Sequence, residues 1–101
     1  MAYGLVILAK VRKFIDGLSV ADQMKVTAHV EKIMIGEFKS LYIKTLHSPL
    51  KELIIGSYRF IFFIDKGHVY FVNSFLKKTQ KTPRQEIQLA EKNYKQIINN
   101  I

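Results

Sequence analysis

A chain of 101 residues with a net charge of +8 and no cysteine has room for one modest core and excludes disulfides and thiolate metal sites. Its 49% apolar and 12% aromatic content points to a packed globule and excludes a disordered chain. A positive excess of that size on so small a body implies a polyanionic partner, nucleic acid or an acidic protein.

In chain order, residues 3–8 suit a short first strand, although Gly4 weakens it. The apolar stretch Leu5 to Ala9 is too short for an export signal, and its cations Lys10, Arg12 and Lys13 follow instead of preceding it. Val11, Phe14, Ile15 and Leu18 recur at helical spacing, with Gly17 as the stop. Ser19 and Asp22 resemble a capping box that opens a second helix, which Gly36 ends. Asp22, Lys25, His29 and Lys32 form its polar stripe, and the two helices read as a hairpin. The stretch 37–50 shows no clear period and reads as a connection with some extended structure.

Leu53 to Ile55, Tyr58 to Ile64 and Val69 to Leu76 are rich in Ile, Val, Phe and Tyr and read as strands. Asp65-Lys66-Gly67 marks a hairpin turn between the last two. With Lys66-Gly67 as a two-residue turn, Asp65 faces His68 and Arg59 faces Ser74. Arg59, Phe63, Tyr70 and His68 then share one face, with Lys78 at its end; a slip of one residue would break the grouping. Thr82 as cap, Pro83 at the first position and Gln85 as partner open a last helix. Its apolar residues are Ile87, Ala90, Tyr94, Ile97 and Ile101. The order β-α-α-β-β-β-α implies a single α+β domain over residues 1–101, with helices packed on a small, mostly antiparallel sheet. The longest apolar run, Phe60 to Ile64, cannot span a bilayer. A soluble cytoplasmic protein without membrane attachment is expected.

His29, His47 and His68 are far apart in sequence, and none has metal-ligand spacing to another. Glycine-rich phosphate loops and nucleophile elbows are also missing, so no cofactor or metal is expected. The chemistry that remains is cationic. Between Lys66 and Gln85 lie five basic residues, Lys66, Lys77, Lys78, Lys81 and Arg84, and no acidic one. Cations beside aromatic rings suit single-stranded RNA, whose phosphates pair with the charges and whose splayed bases stack on the rings. RNA also carries its own nucleophile, the 2′-OH. Cleavage therefore needs only a base for that proton, an acid for the leaving 5′-oxygen and positive charge on the phosphate. Arginine suits the last task through its planar fork. Crowded lysines suit the proton transfers, because adjacent ammonium groups favour the neutral amine. The plainer alternative is a solvated lysine loop, with Arg59 paired to Glu52 and Tyr58, Phe60 and Phe62 in the core.

The run from Leu50 through Glu52-Leu53-Ile54 and Tyr58-Arg59 to Phe63, then Phe75-Leu76-Lys77-Lys78-Thr79-Gln80-Lys81-Thr82-Pro83 and Glu86-Ile87 to Ala90, resembles the phage-derived HigB-like toxins of the RelE/ParE superfamily. That resemblance implies a RelE/ParE-like fold and the toxin role in a type II toxin–antitoxin pair. It also implies a metal-independent endoribonuclease, or mRNA interferase, acting on ribosome-bound mRNA to inhibit translation. The implied partner is a cognate antitoxin of the helix-turn-helix kind, held in a toxin–antitoxin hetero-oligomer. Carried over by position, Arg59, Lys77, Lys78 and Lys81 are the catalytic set, with His68, Tyr70 and Arg84 as RNA-binding residues. One departure stands out: many members have Glu-Leu-Arg where this chain has Glu52-Leu53-Ile54, which removes a phosphate contact. Two alternatives stay open, a ParE-like poison of DNA gyrase and a non-catalytic remnant that only binds its antitoxin.

Overall fold

The computed structural model describes residues 3–100. Among them are three helices and a five-stranded sheet, in the order β1 (Gly4–Ile7), α1 (Ala9–Asp16), α2 (Val20–Met34), β2 (Tyr42–Thr45), β3 (Lys51–Ile55), β4 (Tyr58–Asp65), β5 (His68–Leu76) and α3 (Arg84–Asn100). The sheet runs β1-β5-β4-β3-β2, antiparallel throughout except for the parallel β1–β5 pair. This is the expected α+β arrangement with one strand more, since β2 lies in the stretch that lacked a period. Ile101 lies outside the described residues. No helix among those described is long and apolar enough to cross a membrane.

The sheet separates two apolar clusters. On one face Val11, Ile15, Val26, Val30 and Ile33 of α1 and α2 pack with Leu53, Ile55, Phe60, Phe62, Val69 and Phe71. On the other, Ala90 of α3 packs with Leu50, Ile61, Phe63, Val72 and Phe75, joined by Tyr94, Ile97 and Ile98. Strands β4 and β5 are thus covered on both sides, which is why they read as nearly unbroken apolar runs. α1 meets β5 more than it meets α2, so the two N-terminal helices are laid on the sheet and are not a clear hairpin.

Local signals in the sequence act as expected at several points. The Ser19 hydroxyl accepts from the Asp22 amide at 3.2 Å and caps α2. At its other end Gly36, at φ 77°, lets Glu37 N–H reach Lys32 C=O and its own N–H reach Ile33 C=O, the paired bonds of a Schellman stop. Lys66 and Gly67 both take positive φ, 48° and 79°, as a two-residue type I′ turn requires. Asp65 therefore faces His68. Gly4 is needed for close approach, because a Cβ there would lie 2.4 Å from the His68 ring.

Further along the hairpin the expected register shifts. Phe62 faces Phe71, but Ile61 faces Asn73, so Val72 is an extra residue in β5. Arg59 consequently faces Phe75 and not Ser74. A bulge leaves backbone groups outside the ladder, and the Asn93 side chain of α3 donates to the Val72 carbonyl at 2.9 Å. Asn73 donates to the Glu86 carbonyl and carboxylate at 2.9 and 3.0 Å. The bulge and α3 are therefore fastened together by polar contacts under the apolar cluster.

Tyr58 ties the helical face to the sheet by donating its phenol to the Asp22 carboxylate at 2.6 Å. That hydrogen bond, then burial and the Asp22 charge, push the Tyr58 pKa above its ordinary 10.0. A raised pKa in the folded state means that the tether is complete below the ordinary value and is lost as pH climbs through the raised one. In an ultraviolet phenolate titration, Tyr58 should therefore ionise late. Asp22→Asn should bring it earlier and shrink the difference in stability between pH 8 and pH 11; an unchanged titration would show that Asp22 does not hold the phenol.

Candidate nucleic-acid interface

The residues at the β3–β4 end of the sheet define the site. Arg59, second in β4, points to the α3 side with Ile61 and Phe63, flanked by Ile54 on β3 and Phe75 on β5. Its Nη1 donates to the Gly56 carbonyl at 2.7 Å and the Tyr58 carbonyl at 3.0 Å. Its Nε is buried without a partner among the described residues. The guanidinium thus braces the Gly56-Ser57 turn with one nitrogen and keeps a donor unspent. Gly56 starts that turn at φ 58°, a conformation glycine adopts without strain.

The lysine segment crosses this end. Lys77 N–H still pairs with the Ser57 carbonyl at 2.8 Å, which continues the ladder one step past β5. Five residues later the Thr82 hydroxyl donates to Glu52 Oε2 on β3 at 2.6 Å. The segment 77–82 is therefore a strap that leads from β5 past the end of β4, where Arg59 sits, to β3. The Thr79 hydroxyl bonds the Lys81 carbonyl at 2.8 Å and folds the strap on itself. Lys78 and Lys81 are exposed and Lys77 half-buried. Because the bulge reverses the alternation, Lys77 and not Lys78 continues the face of Arg59 and Phe75.

Two expectations about neighbouring residues change. Thr82 does not cap α3; its hydroxyl is spent on Glu52, and the helix starts at Arg84, with the Pro83 carbonyl accepting from Glu86 and Ile87 N–H. Glu52 does not pair with Arg59. It is fully buried, bonded through Oε2 to Thr82, and its Oε1 has no partner among the described residues.

The remaining sequence candidates do not converge here. Arg84 is exposed in the first turn of α3, close in sequence to Lys81. His68 and Tyr70 lie at the opposite end of the β4–β5 hairpin, where the Tyr70 ring stacks on Phe63 at 4.8 Å and 10° and His68 packs over Gly4. His29 Nδ1 lies 2.6 Å from the Lys25 carbonyl, and His47 Nε2 lies 3.2 Å from Glu91.

Sequence reasoning missed the far wall of the site. Strand β2 brings Lys44 opposite Glu52, and a depression of about 320 Å³ joins Lys44, Leu46 and His47 to Lys81, Thr82 and Ile87. The Tyr-Ile-Lys-Thr alternation of residues 42–45 was the one signal that could have placed Lys44 on a strand.

A family model described as Phage derived protein Gp49-like (DUF891) matches residues 13–95. The match runs from the second half of α1 well into α3 and includes every residue of the strap, so the chain belongs to that family. No curated protein matches it.

The far end of the strap is tied to β3 by the part-buried Thr82–Glu52 hydrogen bond. Thr82→Val should leave the Glu52 carboxylate without its donor, at a cost of about 1–3 kcal/mol in unfolding free energy, whereas Thr82→Ser should stay close to wild type. Denaturant unfolding of both variants checks this, and equal stabilities would remove Glu52–Thr82 as the anchor.

Proposed function

We propose that this member of the Gp49-like family is the toxin of a type II toxin–antitoxin pair, of the HigB/RelE kind, and a metal-independent endoribonuclease that cuts ribosome-bound mRNA. The observation that carries this reading is the Arg59 guanidinium, half-buried at the end of β4 that a strap of three lysines crosses, with no acidic residue in the strap. Cations gathered at one end of a sheet make a positive field that favours a polyanion there.

In this reading the 2′-oxygen attacks the adjacent phosphorus and the bond to the 5′-oxygen breaks. The strap lysines take the 2′ proton and return one to the leaving oxygen, while Arg59 balances the charge that builds on the phosphate. The partner is a cognate antitoxin of the helix-turn-helix kind, for which exposed Val20, Met24 and Ile35 on and after α2 offer apolar contacts.

A second reading, the non-catalytic remnant, has one observation behind it. Ile54, where the resemblance expects arginine, is the direct cross-strand neighbour of Arg59. The site therefore has a hydrocarbon side chain where a second cation is expected to flank the phosphate.

Arg59→Ala, and separately Lys77→Ala with Lys78→Ala, should lose mRNA cleavage by about a hundredfold, equivalent to ~3 kcal/mol of transition-state stabilisation. Cleavage is measured in excess EDTA with intact ribosomes, alongside thermal melting. Arg59→Lys guards against loss of the turn brace and should fold while recovering little activity. A folded lysine variant that cuts at the wild-type rate would sink the assignment.

Ile54→Arg decides between the two readings. It should raise cleavage about tenfold or more in a weakened nuclease, by restoring one charged contact. In a remnant it should leave both RNA cleavage and growth unchanged.

A further inference from the structure

We propose that the depression between β2 and the start of α3 is a subsite for one RNA nucleotide next to the scissile phosphate, with Lys44 and Lys81 as its phosphate ligands. This rests on the reading of the chain as an RNA-cutting protein, and names the part of the site that holds the neighbouring nucleotide.

The walls suit a nucleotide in shape and charge. Lys44 on β2 and Lys81 on the strap are both exposed at its rim. Leu46 and Ile87, half-buried, line the same space and present an apolar surface for the face of a base. Thr82 stands between them, its hydroxyl turned away to Glu52. His47 is exposed on the β2 side at the edge of the depression, its Nε2 3.2 Å from Glu91 Oε2. The volume, about 320 Å³, lies near the lower limit of small-ligand pockets, roughly 300 Å³.

Continuity selects RNA over an acidic peptide. Lys81 belongs both to this depression and to the strap that passes Arg59, so a strand whose phosphate meets Arg59 reaches the depression by following the lysines. Backbone phosphates recur along a nucleic acid, and successive lysines along one path match that recurrence. The two lining carbon side chains ask for a stacked ring and not for carboxylates.

Salt dependence of binding is the test, because each phosphate contact contributes about 0.7 to the slope of log K against log salt for a single strand. The probe is a fluorescein-labelled 2′-O-methyl RNA of about ten nucleotides, which attack by the 2′-oxygen cannot cut. It is titrated by anisotropy against the full chain. Lys44→Ala should lower the slope by about 0.7 and weaken binding severalfold, with melting unchanged. Leu46→Ala should weaken binding severalfold at unchanged slope. Lys10→Ala, on α1 at the other face of the sheet, should alter the slope less than Lys44→Ala.

Wild-type binding with an unchanged slope and affinity in Lys44→Ala would overturn the subsite and leave the RNA reading standing. Failure of the wild-type chain to bind the RNA even at low salt would overturn the RNA reading first. Poly-glutamate serves as the acidic-peptide probe, and a Lys44→Ala loss confined to it would overturn the nucleotide assignment.

Discussion

The extra residue at Val72 controls where the chain presents its cations. In a regular hairpin, alternation alone would fix the faces from Asp65–His68 to the far end, and Lys78 would follow Ser74 on the side of Arg59. The bulge reverses the alternation beyond Asn73 and puts Phe75 and then Lys77 on that side. It also leaves the Val72 carbonyl to be satisfied by Asn93 and turns Asn73 toward Glu86. These amides seat α3, whose start is where the strap ends. One inserted residue thus sets the register, the seat of the last helix and the cation beside Arg59.

Holding the strap in place has an electrostatic cost that can be weighed. Two ammonium groups about 6 Å apart in water repel by about 0.7 kcal/mol, and salt screens this further. A hydrogen bond to a charged group contributes about 1.5–3 kcal/mol. The Thr82–Glu52 bond is therefore of the same size as the repulsion among the three lysines, about 2 kcal/mol for three such pairs. Glu52 alone would be a costly residue to bury, since a desolvated carboxylate costs several kcal/mol. Its placement directly under the strap, with one oxygen bonded and one orphaned, makes sense where positive charge is gathered above it. Lys44, its cross-strand partner on β2, adds to that positive surround.

What was legible in the sequence follows from how local each signal is. The Lys66-Gly67 turn, the Ser19 cap and the Gly36 stop depend on residues within a few positions of one another, and each took the expected form. The lysine run stood out because no acidic residue interrupts it. β2 was hidden because it is an edge strand with only Ile43 half-buried, so burial imposes no period on it. The bulge was hidden for the opposite reason. Strands buried on both faces are apolar at every position, and an unbroken apolar run carries no phase from which a slip could be read. Thr82 read as a helix cap because threonine before proline is a local cap signal; its partner Glu52 lies thirty positions away. Glu52, Lys44 and His47 reach the site through sheet pairing and a strap, and neither contact leaves a mark in nearby sequence.

The separation of the aromatic end from the cationic end bears on how RNA can be read. His68 faces Asp65 and Tyr70 faces Phe63, six and four residues along β4 from Arg59, so at 3.2–3.4 Å per residue they lie about 20 Å and about 13 Å from it. Both distances exceed the Debye length at 0.1 M salt, about 10 Å, so neither ring would touch a phosphate at Arg59. The Tyr70 ring is already stacked on Phe63, and Phe63 in turn meets Tyr94 of α3 edge to face at 4.8 Å. Exposing Tyr70 to a base would uncover an aromatic contact worth about 0.5–1.5 kcal/mol beyond its burial. The gain from a stacked base, roughly 1–3 kcal/mol, is partly cancelled by that loss. At the strap end no such exchange is needed, because Lys78, Lys81 and Lys44 are already exposed and Leu46 and Ile87 already line an open depression. In the proposed RNA reading, a single strand would therefore gain most by following the strap toward β2 and less by running back along β5 to the hairpin tip.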